Sequence, residues 1–192
     1  FCIVLHMKIT TTHSKIETST TLKSLIKERL NKDVIRYLES ITQIGGRLNV
    51  PVYAVGGFVR DLILNVPNKD IDIVVEGEGI PFAVCLAELF GGKIKSHEKF
   101  GTSVVILSNG DRIDVATART EYYKYPAALP TVKRGSIKSD LFRRDFTVNS
   151  MAIKLTGTNA FCLIDFFNGE RDLRSRKIHV LHGLSFIEDP CR

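Results

Sequence analysis

The feature that most constrains the fold is residues 53–75, which read YAVGGFVRDLILNVPNKDIDIVV. The short apolar run Tyr53–Val55 predicts a strand that passes through Gly56 and Gly57 into a helix over residues 58–64. A turn then leads into a second apolar strand. A strand, a glycine turn, a helix and another strand in so short a span indicate a mixed α/β arrangement.

The second strand carries two carboxylates. After a turn at residues 66–68, Asp70 and Asp72 alternate with Ile71 and Ile73. Because successive side chains in a strand point to opposite faces, we expect the carboxylates on one face and the isoleucines buried on the other. Neighbouring carboxylates repel each other, and a divalent cation relieves that repulsion. For the Asp-x-Asp pair taken alone, a solvated edge strand is the commoner explanation.

The glycine pair is suited to hold an anion. A Gly-Gly turn at a helix start offers backbone N–H groups and the positive end of the helix dipole. Arg60, in the first turn of the helix, adds a planar guanidinium that matches phosphate. Together with the two carboxylates, these groups predict a phosphate cradle beside a metal site, as for a nucleotide with its magnesium. A plain turn with no ligand is the alternative for the glycines.

The combined pattern resembles a known signature. The segment GGFVRD at residues 56–61, followed by Asp70-Ile71-Asp72, is similar to that of class II tRNA nucleotidyltransferases and bacterial poly(A) polymerases. This resemblance implies an α/β (α+β) nucleotidyltransferase head of the polymerase-beta type. Such a head has a mixed, curved sheet with helices on one side and is followed by the start of a helical neck.

Composition narrows the cellular setting. The chain has 192 residues, is 44% hydrophobic and 25% charged, and carries a net charge of +6, which favours polyanionic partners without proving one. Its four cysteines show no metal-ligand spacing, so we interpret them as reduced thiols of a cytoplasmic protein. No apolar run reaches the length of a membrane span, and no membrane partner is expected. The sequence gives no indication of the oligomeric state.

The chain divides into three predicted parts. Residues 1–45 form an N-terminal extension, a flexible Ser/Thr-rich lead-in followed by one amphipathic helix or two short ones that Gly45 and Gly46 end. Residues 46–175 form the head, and residues 176–192 begin a truncated neck. Because the chain starts at Phe1 rather than at a methionine, we expect a fragment, or a chain that is trimmed or fused upstream.

A third carboxylate follows the central strand. We expect a helix from Pro81 to Phe90 and then three strands, at residues 93–96, 103–107 and 112–116, with a hairpin at Asn109-Gly110. The last strand places Asp114 on a face from which a hairpin could bring it beside Asp70 and Asp72. An exposed strand aspartate is the alternative.

The next stretch combines a loop with a second motif. Residues 117–138 are expected to form a long loop whose tyrosines pack or stack on bases, and Ser139 is expected to cap a helix. The run RRDFTVNSMA resembles the second motif of the same superfamily. The resemblance implies that Arg144 reaches the triphosphate, while Asp145 and Asn149 hold the site together. Residues 161–181 are expected to form a strand, a turn and a strand without chemistry of their own.

The last residues, EDPCR, resemble the EDxxR element that opens the base-selecting helix of the superfamily. Asp189 and Arg192 are three residues apart and share a face of a helix. An aspartate accepts from the amino group of cytosine or adenine, and an arginine donates to the adjacent ring atoms. Such a pair could select C and A without a template. An acidic cap with a surface arginine is the alternative.

The residues and the resemblance predict a magnesium-dependent enzyme that adds C, A or both from CTP and ATP to the 3′ end of tRNA and releases pyrophosphate. Asp70 and Asp72 would bind the metal, and Asp114 would help to deprotonate the attacking hydroxyl. Gly56, Gly57, Arg60 and Arg144 would hold the triphosphate. Two alternatives stay open: a poly(A) polymerase acting on general RNA 3′ ends, and a non-catalytic nucleotide- or RNA-binding module.

Overall fold

The structure is a computed structural model, and it describes residues 3–4, 19–122, 124–125, 130–181 and 183. The strands are β1 (Ile3–Val4), β2 (Val52–Val55), β3 (Ile71–Val75), β4 (Lys93–His97), β5 (Thr102–Ile106), β6 (Arg112–Thr117), β7 (Arg119–Tyr122), β8 (Thr131–Arg134), β9 (Ala152–Lys154), β10 (Leu163–Ile164) and β11 (Lys177–Ile178). The helices are α1 (Ser19–Arg29), α2 (Lys32–Leu48), α3 (Gly57–Leu64), α4 (Gly79–Phe90), α5 (Ile137–Phe142) and α6 (Gly169–Ser175), with short 3-10 turns at Glu98–Phe100 and Thr147–Asn149.

A seven-stranded mixed sheet with the order β10-β9-β2-β3-β6-β5-β4 is the centre of the fold. β3 and β6 pair in parallel, and the other neighbours in this sheet pair antiparallel. The connection from β3 to β6 therefore crosses over, through α4 and the β4–β5 hairpin. Two smaller sheets pair β7 with β8 and β1 with β11. The predicted mixed α/β head is confirmed.

Helices cover one face of the central sheet. In β3, Ile71 and Ile73 are buried in the main core, as predicted, while Asp72 points to the opposite face and is half-buried. The helical side of this core comes from α1, α2, α3 and α4, with fully buried side chains that include Leu38, Phe58 and Leu86. Apolar burial on one face leaves the other face for polar side chains.

The opposite face is only partly open. A second, smaller core covers it beside β2, β3 and β9, and α5 contributes to that core. Its buried members are Tyr53, Val55, Val74, Ala118, Ile137, Leu141 and Ala152. Val74 of this cluster lies on the same face of β3 as the half-buried Asp72, whereas Asp70 and Asp114 are exposed.

The N-terminal helical stretch consists of two helices, α1 and α2, which is one of the two arrangements predicted from the sequence. The side chain of Asn31 accepts a hydrogen bond from the backbone N–H of Val34 at 2.9 Å and starts α2. The prediction that Gly45 and Gly46 end this helix was wrong, because α2 continues to Leu48. Gly45 serves packing instead: a Cβ there would lie 2.6 Å from a methyl group of Thr156.

The prediction of a long loop over residues 117–138 was also wrong. Its described part contains the ribbon of β7 and β8, which pair antiparallel. Ser139 is not the helix cap; Ser136 is, and its hydroxyl accepts from the N–H of Ser139 at 3.3 Å. α5 consequently begins earlier than expected and ends at Phe142.

The prediction of a strand, a turn and a strand over residues 161–181 was wrong in its second half. Asn168 leads into α6 rather than into a hairpin, because the carboxylate of Asp165 accepts from the N–H groups of Gly169 and Glu170 at 2.9 and 3.0 Å. Pro81 likewise occupies the third position of α4 rather than the first. The first and the third positions of a helix both lie in its first turn, where a backbone N–H has no intrahelical partner, so proline fits at either.

The other boundaries agree with the sequence to within a residue or two. The three strands predicted between residues 93 and 116 appear as β4, β5 and β6, and α4 ends at Phe90 as expected. Residues 5–18, which hold most of the predicted lead-in, lie outside the described residues, and the three-part division of the chain stays a prediction. Within the described ranges, no helix combines the length and the apolar character needed to cross a membrane.

The two glycines of α2 provide a matched test of the packing. We expect Gly45→Ala to destabilise the protein by about 1–3 kcal/mol, since its methyl group would meet Thr156 and Val52 within 2.8 Å. Gly46 is exposed, with nothing within 4 Å of an added Cβ, so Gly46→Ala should stabilise by up to about 1 kcal/mol. Urea unfolding of both variants measures the difference. Equal effects would contradict the packing role of Gly45.

Candidate active site

The carboxylates come together through the register of the central strands. Parallel pairing places Asp72 of β3 directly opposite Asp114 of β6. Side chains at paired positions of neighbouring strands project to the same face. Asp70 is exposed and immediately precedes β3, which begins at Ile71. The crossover connection, rather than the hairpin invoked from the sequence, brings Asp114 to Asp72.

The electrostatics of these carboxylates are unfavourable without a counter-charge. Burial raises the pKa of Asp72, the guanidinium of Arg144 opposes this effect, and the charges of Asp114 and Asp70 raise the pKa further. Burial also raises the pKa of Asp114, with Arg112 lowering it and Asp70 raising it. The fold thus holds partly desolvated carboxylates close enough to destabilise each other's charged forms.

The donor set fits a hard divalent cation. Carboxylate oxygens are the ligands that magnesium prefers, and a cation would remove the repulsion that raises these pKa values. Among the described residues, no three or more His, Cys, Asp or Glu side chains stand together as a ready-made metal-binding group. The chemistry of Asp70, Asp72 and Asp114 therefore supports a metal site, while a closed ligand cluster is not part of this structure.

Gly56 is the point where Arg144 and Asp72 converge. A Cβ at Gly56 would lie 2.7 Å from Nη1 of Arg144 and 3.6 Å from Oδ2 of Asp72, and the residue has a φ of 71°. Both the close approach and the positive φ require glycine. The N–H of Gly56 donates to the carbonyl of Met151 at 3.2 Å, so this amide is used within the fold.

Two guanidinium groups flank the glycine pair. Arg144 lies against Gly56, and Nη2 of Arg60 would be 3.5 Å from a Cβ at Gly57. α3 begins at Gly57, so the positive end of its dipole points into the same region. Two guanidinium groups and a helix start therefore lie beside the carboxylates.

Arg60 is held by a hydrogen-bond network on both sides. Its Nε and Nη2 donate to Asp61 at 2.8 and 3.1 Å, and its Nη1 donates to Oδ1 of Asn149 at 2.7 Å. The amide of Asn149 in turn donates to the carboxylate of Asp145 at 3.1 Å. Asp145 and Asn149 are therefore hydrogen-bonded to each other, and Asn149 holds an arginine of the first motif. Their role in holding the site together stays a prediction.

The same network reaches the loop before β3. Asp61 also accepts from Nδ2 of Asn68 at 2.7 Å, and the side-chain oxygen of Asn68 accepts from the N–H of Asp70 at 2.7 Å. The position of Asp70 is thus connected to Arg60 through two side chains.

Arg144 is anchored by a buried aspartate. The side chain of Asp140 is fully buried, and its Oδ2 accepts from Nη2 of Arg144 at 3.2 Å. Its Oδ1 accepts from Nη2 of Arg143 at 2.9 Å. Two arginines balance the negative charge of this buried carboxylate, and the carboxylate in turn fixes the orientation of both guanidinium groups.

Comparisons with known proteins identify the family of this chain. A family model described as the poly(A) polymerase head domain matches residues 52–179. The chain belongs to this family. The A-adding tRNA nucleotidyltransferase of Geobacter sulfurreducens is 51% identical over 168 residues, which cover 88% of this chain and 19% of that protein. The CC-adding tRNA nucleotidyltransferase of Deinococcus radiodurans is 37% identical and covers 72% of this chain and 37% of that protein.

Solved structures show the same head. A CCA-adding enzyme in an apo form superposes with a TM-score of 0.82 at 50% identity, over 88% of this chain and 40% of that one. The Thermotoga maritima CCA-adding enzyme complexed with tRNA has a TM-score of 0.78 at 45% identity, over 88% of this chain and 38% of that one. The chain spans between about a fifth and two fifths of the length of these relatives.

Analysis of the sequence did not identify several residues whose hydrogen bonds organise the candidate site. Asp61, Asn68 and Asp140 bridge the motifs, yet none was predicted as a site residue. Asp140 had a readable signal, since it lies four residues before Arg144, a spacing that brings side chains together on a helix. The reach of Asn68 to Asp61 depends on the fold of a loop and had none. The predicted base-selecting residues Asp189 and Arg192 lie outside the described residues.

The glycine pair gives a matched test of the site. We expect Gly56→Ala to displace Arg144 and to weaken nucleotide binding at least tenfold, because the methyl group and the guanidinium cannot occupy the same space. Gly57→Ala should bind nearly as the wild type, since its Cβ would make only an ordinary contact with Arg60. Calorimetric titration with ATP measures both, and equal losses would contradict the proposed contact.

The raised pKa of Asp72 predicts a dependence of stability on pH. The charged carboxylate destabilises the fold as the pH rises through the folded-state pKa, and this cost is absent below the unfolded-state value of about 4. Asp72→Asn should therefore be more stable than the wild type near neutral pH, with the gain disappearing at low pH. Urea unfolding in EDTA across this range measures it, with exposed Glu39→Gln as control. A less stable variant at neutral pH would refute the expectation.

Proposed function

We propose that the chain is the catalytic head of a tRNA nucleotidyltransferase, which adds C, A or both from CTP and ATP to the tRNA 3′ end. The observation that carries the proposal is the opposition of Asp72 and Asp114 beside the Gly56–Arg144 contact. The A-adding and CC-adding names of relatives, and solved CCA-adding enzymes with CTP and ATP, support it.

The triphosphate would lie against the glycine turn. Nη2 of Arg144 is held by Asp140, while its Nη1 lies beside Gly56, so the guanidinium has an N–H group at the glycine turn for an anion. The first turn of α3, from Gly57, adds backbone N–H groups, and Arg60 adds a second positive charge. Arg60 is already bound by Asp61 and Asn149, which makes Arg144 the stronger candidate for direct contact.

The reacting groups would meet at the carboxylates. Nucleotidyltransferases of this family generally depend on a divalent metal. Magnesium held by Asp70 and Asp72 would lower the pKa of the RNA 3′-hydroxyl and neutralise charge on the departing pyrophosphate. Asp114 is the candidate proton acceptor, because its raised pKa makes it a better base than an ordinary carboxylate. The guanidinium of Arg144 beside Gly56 and the first turn of α3 from Gly57 would stabilise the charge that develops on the phosphates.

Base selection would lie with Asp189 and Arg192, which can pair with the Watson–Crick edges of cytosine and adenine.

The cytoplasmic location of the protein stays a prediction.

A second candidate is a poly(A) polymerase that acts on general RNA 3′ ends. The description of the matching family model favours it. It would use the same carboxylates and the same triphosphate contacts, and it differs in the length of the product and in the choice of RNA. A non-catalytic nucleotide-binding module is the third candidate, and it would bind ATP without incorporating it.

The deciding experiment offers the protein three tRNAs, lacking CCA, lacking CA and lacking only A, with magnesium and labelled CTP or ATP. We expect addition that stops at CCA, CC or a single A, as in the A-adding, CC-adding and CCA-adding relatives. Long A tails on any RNA would establish the poly(A) polymerase instead. Nucleotide binding without incorporation would establish the binding module.

The metal assignment has its own test. Asp70→Ala with Asp72→Ala should lower incorporation at least a thousandfold and remove the stabilisation that magnesium gives to the wild type in thermal unfolding. The matched control, Glu39→Ala with Glu88→Ala, removes the same charge from exposed positions of α2 and α4 and should change neither. Unchanged turnover in the aspartate variant would refute the two-carboxylate metal site.

A further inference from the structure

The β7–β8 ribbon is attached to the body of the protein through a buried glutamate. The side chain of Glu121 in β7 is 6% exposed, and its Oε1 accepts from Nη2 of Arg119 at 2.9 Å and from Nη1 of Arg143 at 3.0 Å. Arg119 also donates to the carbonyl of Phe100 at 2.8 Å. The inner face of the ribbon is thus tied both to the turn after β4 and to the segment that follows α5.

Arg143 is shared between the ribbon and α5. Its Nη1 binds Glu121, while its Nε and Nη2 bind Oδ1 of Asp140 at 3.1 and 2.9 Å. A planar guanidinium that is bound on two edges cannot rotate without losing one partner. The position of Glu121 therefore sets the position of the Asp140 carboxylate from one side.

Asp140 passes this constraint to the nucleotide site. Its second oxygen, Oδ2, binds Nη2 of Arg144, whose Nη1 lies against Gly56. A continuous series of contacts runs from Glu121 through Arg143 and Asp140 to Arg144. The carboxylates of this series are nearly or fully buried and the arginine side chains are each 19% exposed, so water screens these interactions weakly.

We propose that Glu121 is a positioning residue for the nucleotide: through Arg143 and Asp140 it fixes the guanidinium of Arg144, so that docking of the β7–β8 ribbon and binding of the triphosphate are coupled. This inference rests on the proposed function, in which Arg144 contacts the triphosphate. When Glu121 is neutral, Arg143 interacts more strongly with the carboxylate of Asp140. The ion pair between Asp140 and Arg144 then weakens, and the guanidinium of Arg144 is less well fixed. The effect should appear in nucleotide affinity more than in the chemical step.

The test compares two glutamates that both bind arginines near the ribbon. Glu121→Gln keeps the shape of the side chain and removes its charge, and we expect Kd and KM for ATP to rise roughly tenfold, with kcat at saturating ATP falling less than about threefold. Glu78 pairs with Arg134 of β8 on the surface, where both side chains are more than half exposed. Glu78→Gln should therefore leave Kd, KM and kcat within about twofold of the wild type.

A double-mutant cycle separates positioning from general loosening of the fold. In an Arg144→Lys background, Glu121→Gln should add little further loss of ATP affinity, since its effect acts through the guanidinium. If Glu121→Gln does not fold, Arg143→Lys takes its place, because lysine keeps the charge but lacks the planar fork that binds Glu121 and Asp140 on separate edges. Folding is checked by circular dichroism and thermal unfolding.

Two results would overturn the inference: a folded Glu121→Gln variant that binds ATP like the wild type, or losses that multiply fully in the Arg144→Lys background. Failure of the proposed function looks different, since the wild-type protein itself would then not add C or A to the tRNA 3′ end, whether or not it binds ATP.

Discussion

The site depends on the parallel pairing of β3 with β6. This single pairing in an otherwise antiparallel sheet sets Asp72 opposite Asp114 and forces the chain between them to cross over through α4 and a hairpin. The arrangement has an electrostatic cost, visible in the raised pKa values of both carboxylates. This electrostatic cost is what supports the proposal of a positively charged ligand at Asp72 and Asp114.

The two arginines of the candidate site are held by their neighbours in different ways. Arg60 is bound by Asp61 and Asn149 and ties the first motif to the second. Arg144 is bound on one edge by Asp140 and keeps its other edge toward Gly56. The buried Asp140 therefore acts on the candidate site indirectly, by orienting the guanidinium that lies against Gly56. Buried ion pairs of this kind contribute more to a defined geometry than to net stability.

Prediction from sequence worked where the signal was local. β2, α3 and β3 follow from apolar alternation and a glycine turn, and Ile71 and Ile73 are buried as expected. It failed where distant residues decide. Gly45 is a helix breaker by propensity, yet it lies inside α2, where the absence of a side chain leaves room for Thr156. The β7–β8 ribbon is stabilised by Glu121 and Arg143, which are far apart in sequence, so its local composition indicated only a loop.

The sequence by itself determined the family and the residue types of the candidate site, because its first motif places the glycine pair, Arg60 and the Asp70–Asp72 pair at short, fixed separations. Only the tertiary structure decided how these motifs meet. The register between β3 and β6, the convergence of Arg144 and Asp72 on Gly56, and the burial of Asp140 all join segments distant in sequence. Propensity and periodicity act over a few residues and carry no information about such contacts.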